Sequence, residues 1–445
     1  MHHLSLKVFA SIPNHTSPTT GSTSSSLRLV ANNALRRRND GFLHLQHSLH
    51  TILLPHTPSN ATSSMGNITT TRHLETNIIE PLYTPQTVIV RFGSGDALRN
   101  FVLKVATPGT ILPWIQCHPC RPQARQSNLP FNPQLSPTYS HIPSTSHMCT
   151  LPYTHPENHL CAFSFNVPSE MNVKGYLGQD HVVIGESAIE NFMFGCSHST
   201  TFFNNAGLYA GVISLSRRPP SLVTQAAASG LAGFSYCLSE GSEMNRQGFL
   251  RFGTDIPHNP NYGTTRILPA LNSDESEYHL GLIGISLGER KLDKIHPEMF
   301  ARNKDQTGGC VIDVGTPLTV MVREAYNIIE DAMWADLQHL KVERVQLPTL
   351  FGLCFRVTEA TKGRLQPLSL HFTEEEAVLV LSPEQLFVMM QDNQGQVACL
   401  AMTPGDRTII GAFQQVDTRF VYDVEGSRLS FASERCILDT TEEVD

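Results

Sequence analysis

Two stretches of this chain repeat one plan. "VATPGTILPW" (105–114) and "VIDVGTPLTV" (311–320) both lead an apolar run into a short turn with Gly-Thr and back into apolar residues. About 100 residues after each comes a matching apolar pair, in "VIS" (212–214) and in "IIG" (409–411). Two copies of one supersecondary unit predict two lobes of one design, and a cleft between lobes is where a ligand site belongs. With 445 residues, each lobe can bury its own core.

The texture between the repeats is that of a mostly β protein. From about residue 79, short runs rich in branched and aromatic residues ("TVIVRF", "FVLKVA", "HVVIG", "FMFGC", "LGLIGISL", "AVLVL", "RFVYDV") alternate with Gly, Pro and Asn. Helical spacing is confined to a few places, such as "SLVTQAAASG" and "REAYNIIEDAMWADLQ". The expected organisation is a leader over 1–78, an N-terminal β lobe over 79–268 and a C-terminal β lobe over 269–445.

The leader differs in chemistry. Residues 1–72 carry six Lys or Arg against one acid, Asp40, so the net charge of -8 is concentrated in the rest of the chain. Rich in Ser, Thr, His and Pro, this segment cannot bury a core and is expected to be largely disordered. Its start fits two addresses, a secretory signal with a short apolar region or an acid-poor plastid transit peptide. Ten cysteines, all beyond the leader, favour disulfides and the secretory pathway or the extracellular space, with the plastid as the alternative. Sequons at Asn14, Asn60 and Asn67 lie in the leader only. No apolar run approaches 18 residues, so no transmembrane segment is expected, and the acidic balance argues against nucleic acid.

Asp313 is the acid that stands out. It follows two branched apolar residues and precedes Val314, Gly315 and Thr316, as a carboxylate at a strand end that turns sharply would. The plain reading is a turn-capping Asp. The repeat supplies the other reading, because a carboxylate at a lobe–lobe cleft can do acid–base chemistry.

In order along the chain, "WIQCHPC" (114–120), "FNPQLSPTYSHIP" (131–143), "FGCSH" (194–198), "RPPSLVTQ" (218–225), "GFSYCL" (233–238), "GGCVIDVGTPLT" (308–319) and "TIIGAFQQVDTRFVYDVEGSRLSFASERC" (408–436) resemble the pepsin-like (A1) aspartic proteases, in particular their plant nepenthesin-like branch. The resemblance spans residues 83 to 436 and implies a bilobed fold of two antiparallel β lobes with a central cleft, an endopeptidase acting on a peptide or protein held there, no cofactor or metal, and a monomer. "NALRRRNDGFLHLQHSLH" resembles the remnant of a prosegment. The family's reaction needs one Asp from each lobe. Two carboxylates about 3 Å apart cannot both ionise, so one serves as base and one as acid, and together they activate a water.

Only the second Asp is present. Asp313 matches it, with Gly315 and Thr316 as its turn and Val314 where the family has Ser or Thr. Anchored on Trp114 and Cys117, the first motif falls on Thr107-Pro108-Gly109-Thr110, so a threonine holds the first acid's position; a slip by one residue gives Ala106. Gly109, Thr110 and Phe165 correspond to further cleft-lining positions, Phe165 standing where the family's flap has a tyrosine. Ser214 occupies the place of a supporting glycine that Gly411 keeps in the second copy. A lone Asp313 is expected to sit ionised and to support little peptidase activity. The alternative is an inactive pseudo-protease that binds or inhibits a protein or glycan, as plant relatives that inhibit glycoside hydrolases do.

The resemblance implies bridges Cys196–Cys237, Cys354–Cys399 and Cys310–Cys436, with pairing inside 117–161 open. Three further motifs have plainer explanations. "GISLG" (284–288) matches a serine nucleophile elbow but lies in a strand-like run with no helix after it. "CHPC" (117–120) lacks the βαβ setting of a redox pair, and His155 and His159 of "HPENH" lie in a Pro-rich loop with no helical register to make them metal ligands.

Overall fold

A computed structural model describes residues 26–31, 86–106, 112–119, 130–150, 152–153, 159–167, 171–185, 187–202, 209–239, 247–273, 275–303, 307–347, 351–361 and 363–436. The first strands are β1 (Ser26–Ala31), β2 (Gln86–Phe92), β3 (Arg99–Ala106), β4 (Trp114–Gln116), β5 (Ser140–His141), β6 (Ala162–Val167) and β7 (Met171–Ile184). Then come β8 (Ser187–Phe202), β9 (Gly211–Ser214), β10 (Phe234–Cys237), β11 (Gln247–Phe252) and β12 (Gly263–Arg266). The second half supplies β13 (His279–Leu280), β14 (Leu282–Leu287), β15 (Arg290–Lys291), β16 (Cys310–Ile312), β17 (Thr319–Val322), β18 (Cys354–Arg356) and β19 (Leu368–Phe372). It closes with β20 (Val378–Leu381), β21 (Phe387–Asp392), β22 (Gly395–Leu400), β23 (Met402–Gly405), β24 (Thr408–Ile410), β25 (Thr418–Asp423) and β26 (Arg428–Ser433).

The protein is mostly β, as its alternating pattern predicts. Fourteen strands form one sheet along the path β12-β26-β25-β10-β11-β1-β2-β3-β9-β4-β8-β7-β5, with β6 paired to β7. Strands from both sides of residue 268 share this sheet, since β10 pairs with β25. Three smaller sheets follow the paths β13-β16-β24-β17-β23, β15-β14-β19-β20 and β18-β22-β21. Helix α1 (Leu222–Ala228) and helix α2 (Arg323–His339) fall on the two helical patterns. Along α2, Ala325, Tyr326, Ile329, Met333 and Leu337 are buried, a three-to-four-residue spacing that lays one apolar stripe on the core.

The core begins with phenylalanines. Phe92, Phe101, Phe131, Phe192 and Phe194 are all buried, and Phe92 meets Phe194 edge to face with ring centroids 4.6 Å apart. Each such ring contributes about 1.5–3 kcal/mol through burial. A second aromatic cluster stacks Phe234 on Tyr422 at 4.3 Å, with Tyr278 against Tyr422 at 4.9 Å. Its hydroxyls are satisfied, because Tyr236 Oη donates to Gln415 Oε1 (2.5 Å) and lies 2.9 Å from Tyr422 Oη.

Within the leader, expected to be largely disordered, Ser26–Ala31 is a strand with neighbours on both sides, antiparallel to β11 and to β2. The other leader residues up to 85 lie outside the described residues.

Two of the implied disulfides are wrong. The bonds are Cys117–Cys196, Cys149–Cys161, Cys237–Cys436 and Cys354–Cys399. Cys196 does not reach Cys237, because β4 and β8 run parallel with Ile115 beside Cys196, which brings Cys117 to a Cα–Cα distance of 5.4 Å. Cys237 sits opposite Arg419 of β25, and the β25–β26 hairpin returns Cys436 to within 5.2 Å of it. Cys310 therefore keeps a free, buried thiol, which burial pushes up to about 12. Cys354 and Cys399 are direct cross-strand partners.

Candidate active site

Asp313 immediately follows β16, whose parallel ladder with β24 ends at the pair Ile312 and Ile410. Its own backbone continues that ladder, the Asp313 N–H donating to the Ile410 carbonyl at 3.0 Å. Gly315 then lets the chain fold back over the carboxylate. The Gly315 N–H donates to Oδ1 at 2.8 Å, and the Thr316 hydroxyl donates to Oδ2 at 2.6 Å. Both oxygens are thus held by the residue's own turn.

Gly411 braces this turn from the second strand. Its N–H donates to Thr319 Oγ1 at 3.0 Å, and a Cβ here would meet the Leu318 carbonyl carbon at 2.4 Å. Only glycine permits that approach. The neighbouring Ala412 and Phe413 N–H groups donate to the Thr316 and Pro317 carbonyls. Leu215, Phe234, Tyr236, Tyr278, Ile312, Val314 and Tyr422 surround Asp313 and keep it 5% exposed.

That apolar wall decides the charge. Burial raises the Asp313 pKa above the ordinary carboxylate value, and the hydrogen bonds from Thr316 and Gly315 offset the rise only in part. Glu277 adds a like charge, which Arg407 partly cancels. The apolar wall therefore moves ionisation of Asp313 above the ordinary carboxylate range even without a paired Asp.

Glu277 is not a replacement partner. Arg407 grips it with both terminal nitrogens, Nη1 to Oε2 and Nη2 to Oε1, each at 2.7 Å, and His279 Nε2 lies 3.3 Å from Oε2. Burial alone would raise its pKa, but the bonds from His279 and Arg407 pull it down to about 2. A carboxylate so held stays ionised through the acid range and cannot donate a proton. Beyond it, His279 also meets Glu275 at 3.2 Å, and Arg302 meets Glu275 at 2.7 Å. Sequence reasoning missed this network. Its one visible signal was an acid, Glu277, at the start of the apolar run "YHLGL".

The first repeat offers no acid either. Thr107, Gly109 and Thr110 lie outside the described residues, but the flanking ladders are described. Trp114 pairs with Val212 as Val320 pairs with Ile409, which equates Ser214 with Gly411. Val105 pairs with Ile213 as Ile312 pairs with Ile410, which makes Ala106 the ladder counterpart of Asp313. Spacing to Trp114 points instead to Thr107. Neither residue has a carboxylate. Ser214, fully buried, accepts the Ser216 N–H at 3.2 Å, and it carries a Cβ at the position where, in the second copy, Gly411 admits the close approach of Leu318.

The remaining candidates fall as follows. Phe165 on β6 is half-buried, stacked on Phe163 at 5.7 Å and edge-on to Trp114 at 6.2 Å, so its ring belongs to an aromatic cluster. Ser286 lies within β14 and is 2.8 Å from His371 Nε2 across the β14–β19 ladder; the chain then turns into β15, not a helix, so no nucleophile elbow forms. Cys117 is bonded to Cys196, while Cys120 and His155 lie outside the described residues.

Burying Asp313 has a measurable consequence. A folded-state pKa above the unfolded one places a penalty on the native state that is full above the folded value and absent below the unfolded value. Asp313→Asn should therefore stabilise the protein at neutral pH by on the order of 1 kcal/mol, and the gain should vanish as pH falls through the carboxylate range. Urea unfolding at the two pH values checks it, and an equal gain at both would refute it.

Two family models match the chain in order. Xylanase inhibitor N-terminal covers residues 89–254 and Xylanase inhibitor C-terminal covers residues 277–433. Aspartyl protease family protein 2 of Arabidopsis thaliana is 28% identical over 355 residues, spanning 78% of this chain and 70% of that protein. Aspartic proteinase nepenthesin-1 of Nepenthes gracilis is 28% identical over 375 residues, spanning 77% of this chain and 79% of that protein. Among solved structures, edgp superposes with a TM-score of 0.66 at 16% identity, over 94% of this chain and 96% of that one. Basic 7S globulin from soybean superposes at 0.61 with 20% identity, over 80% of this chain and 96% of that one. These two likenesses concern the fold, which is pepsin-like. With both halves matched in order and nepenthesins among its relatives, the chain belongs to the plant nepenthesin-like branch of the pepsin-like (A1) aspartic protease family.

Proposed function

We propose that this protein binds an extended polypeptide in the cleft beside Asp313 and hydrolyses it far more slowly than a two-acid relative. One observation carries the reading. Asp313 is held by its own turn, and neither Ala106 nor Thr107, the two positions that answer it in the first repeat, is an acid. Each positioned proton transfer contributes roughly 10²–10⁴-fold, and a pair with one member missing cannot deliver both the base and the acid step. Losing one acid removes a proton-transfer step and not the surface that would hold a polypeptide, so binding should outlast hydrolysis. Immobilised protein should retain reduced, unfolded casein at acid pH and release it uncut; failure to retain it would refute the binding half.

A second reading takes its support from the two matching families, xylanase inhibitor N-terminal and xylanase inhibitor C-terminal. On that reading the bound polypeptide is a folded glycoside hydrolase, and titrating a xylanase with the protein should lower its activity to a stoichiometric end point. Four disulfides support an oxidising compartment, with the secretory pathway preferred over the plastid.

A further inference from the structure

The sheet β15-β14-β19-β20 ends on β20, and no described strand pairs with the far side of that strand. At the tip of the β19–β20 hairpin the Phe372 N–H donates to the Ala377 carbonyl. Hydrogen-bonded pairs alternate along an antiparallel ladder, so Leu379 and Leu381 aim their backbone groups at β19. Val380 then aims its N–H and C=O outward, where no described group meets them. Its side chain is exposed as well. Leu379 and Leu381 are buried, whereas Val380 is 53% exposed, more than any other large apolar residue described. The same outer face runs from Val378 past His371 to Gly284, where a Cβ would meet nothing within 4 Å. No other described element covers the sheet at that point.

Charge selects the occupant. Glu375 and Glu376 precede β20 and Glu384 follows it; all three are exposed, and none forms an ion pair with a described residue. Glu374, by contrast, is already held by the Thr265 and Thr373 hydroxyls and the Arg266 N–H. Two copies paired antiparallel about Val380 would set Glu376 against Glu384 at both ends, which like charges oppose. A basic strand meets no such penalty. We propose that β20 is a docking edge for an extended segment of another protein, apolar beside Val380 and basic at both ends. Such a segment adds one strand to the sheet, with the bonds to Val380 supplying affinity and the glutamates selecting the sign. The edge uses none of the residues around Asp313, so this binding goes beyond that of the cleft.

The test titrates the full chain into the fluorescent peptide Lys-Arg-Thr-Val-Thr-Arg-Lys, with anisotropy as the readout and hydrogen exchange to locate the contact. Binding should slow exchange in β20. Replacing the three central residues by proline keeps the peptide's charge but removes its donors, and should weaken binding at least tenfold. Val380→Pro, which removes the outward N–H, should weaken binding of the first peptide by a similar factor. Val380→Lys keeps the backbone and blunts the edge with a like charge, so it should do the same even if the proline variant folds poorly. Equal affinity for both peptides would leave charge alone as the cause, and wild-type binding by Val380→Lys would put the peptide elsewhere. Either result overturns the proposal. So would no binding by the wild-type protein, β20 amides already protected in the free monomer, or a dimer that Val380→Lys abolishes.

Discussion

Restoring the first acid should create a protease. Thr107→Asp is expected to raise acid-pH cleavage of an unfolded protein by ~10²-fold or more over wild type, since it returns a proton donor and acceptor opposite Asp313. The gain should be larger when Ser214→Gly is combined with it. At Gly411 the turn approaches so closely that a Cβ would lie 2.4 Å from the Leu318 carbonyl carbon, and Ser214 carries a Cβ at the corresponding position of the first repeat. Dyad chemistry needs the shared-proton geometry, and a misplacement of about 1 Å is enough to lose 10²-fold. The ladder register makes Ala106 the other address, so Ala106→Asp with Ser214→Gly is the matched comparison. Whichever pair gains activity, the gain should be abolished by Asp313→Ala.

The largest expected effect on stability lies at Cys237–Cys436. This bond closes a loop of sequence separation 199, against 12 for Cys149–Cys161. Loop entropy alone puts its contribution at about 5 kcal/mol and that of the short loop at about 3 kcal/mol. The long bond also anchors the β25–β26 hairpin, where Arg419 is 1% exposed and pairs with Glu434 through two 2.7 Å hydrogen bonds. Replacing both members of each pair by serine avoids stray thiols. The Cys237→Ser, Cys436→Ser protein should show the larger fall in urea midpoint at unchanged slope, and the reverse order would refute this ranking.

Much of the fold was legible because its signals are local. Alternating apolar runs mark strands over a few residues, and "DVGT" marks a sharp turn after β16 without knowledge of anything distant. What escaped depends on which strands become neighbours. Cys237 pairs with Cys436 only because β10 lies beside β25, and Glu277 meets Arg407 across 130 residues. Nothing in either local sequence encodes these meetings. β1 was hidden for another reason. Six strand-forming residues are diluted by a Ser- and Thr-rich surround, so a composition argument sees the surround and not the strand. The charge state of Asp313 belongs to the same class, because Phe234, Tyr278 and Tyr422 reach it from three separate parts of the chain.

The central claim is that one buried acid, without a partner, does not make a working peptidase. The measurement that tests it most directly is digestion of acid-denatured haemoglobin by the wild-type protein across the acid range, run beside Asp313→Ala and with and without pepstatin. The expected result is at most a trace rate from the wild-type protein, too small for pepstatin or Asp313→Ala to lower it resolvably. Robust cleavage that pepstatin blocks and Asp313→Ala abolishes would contradict the account.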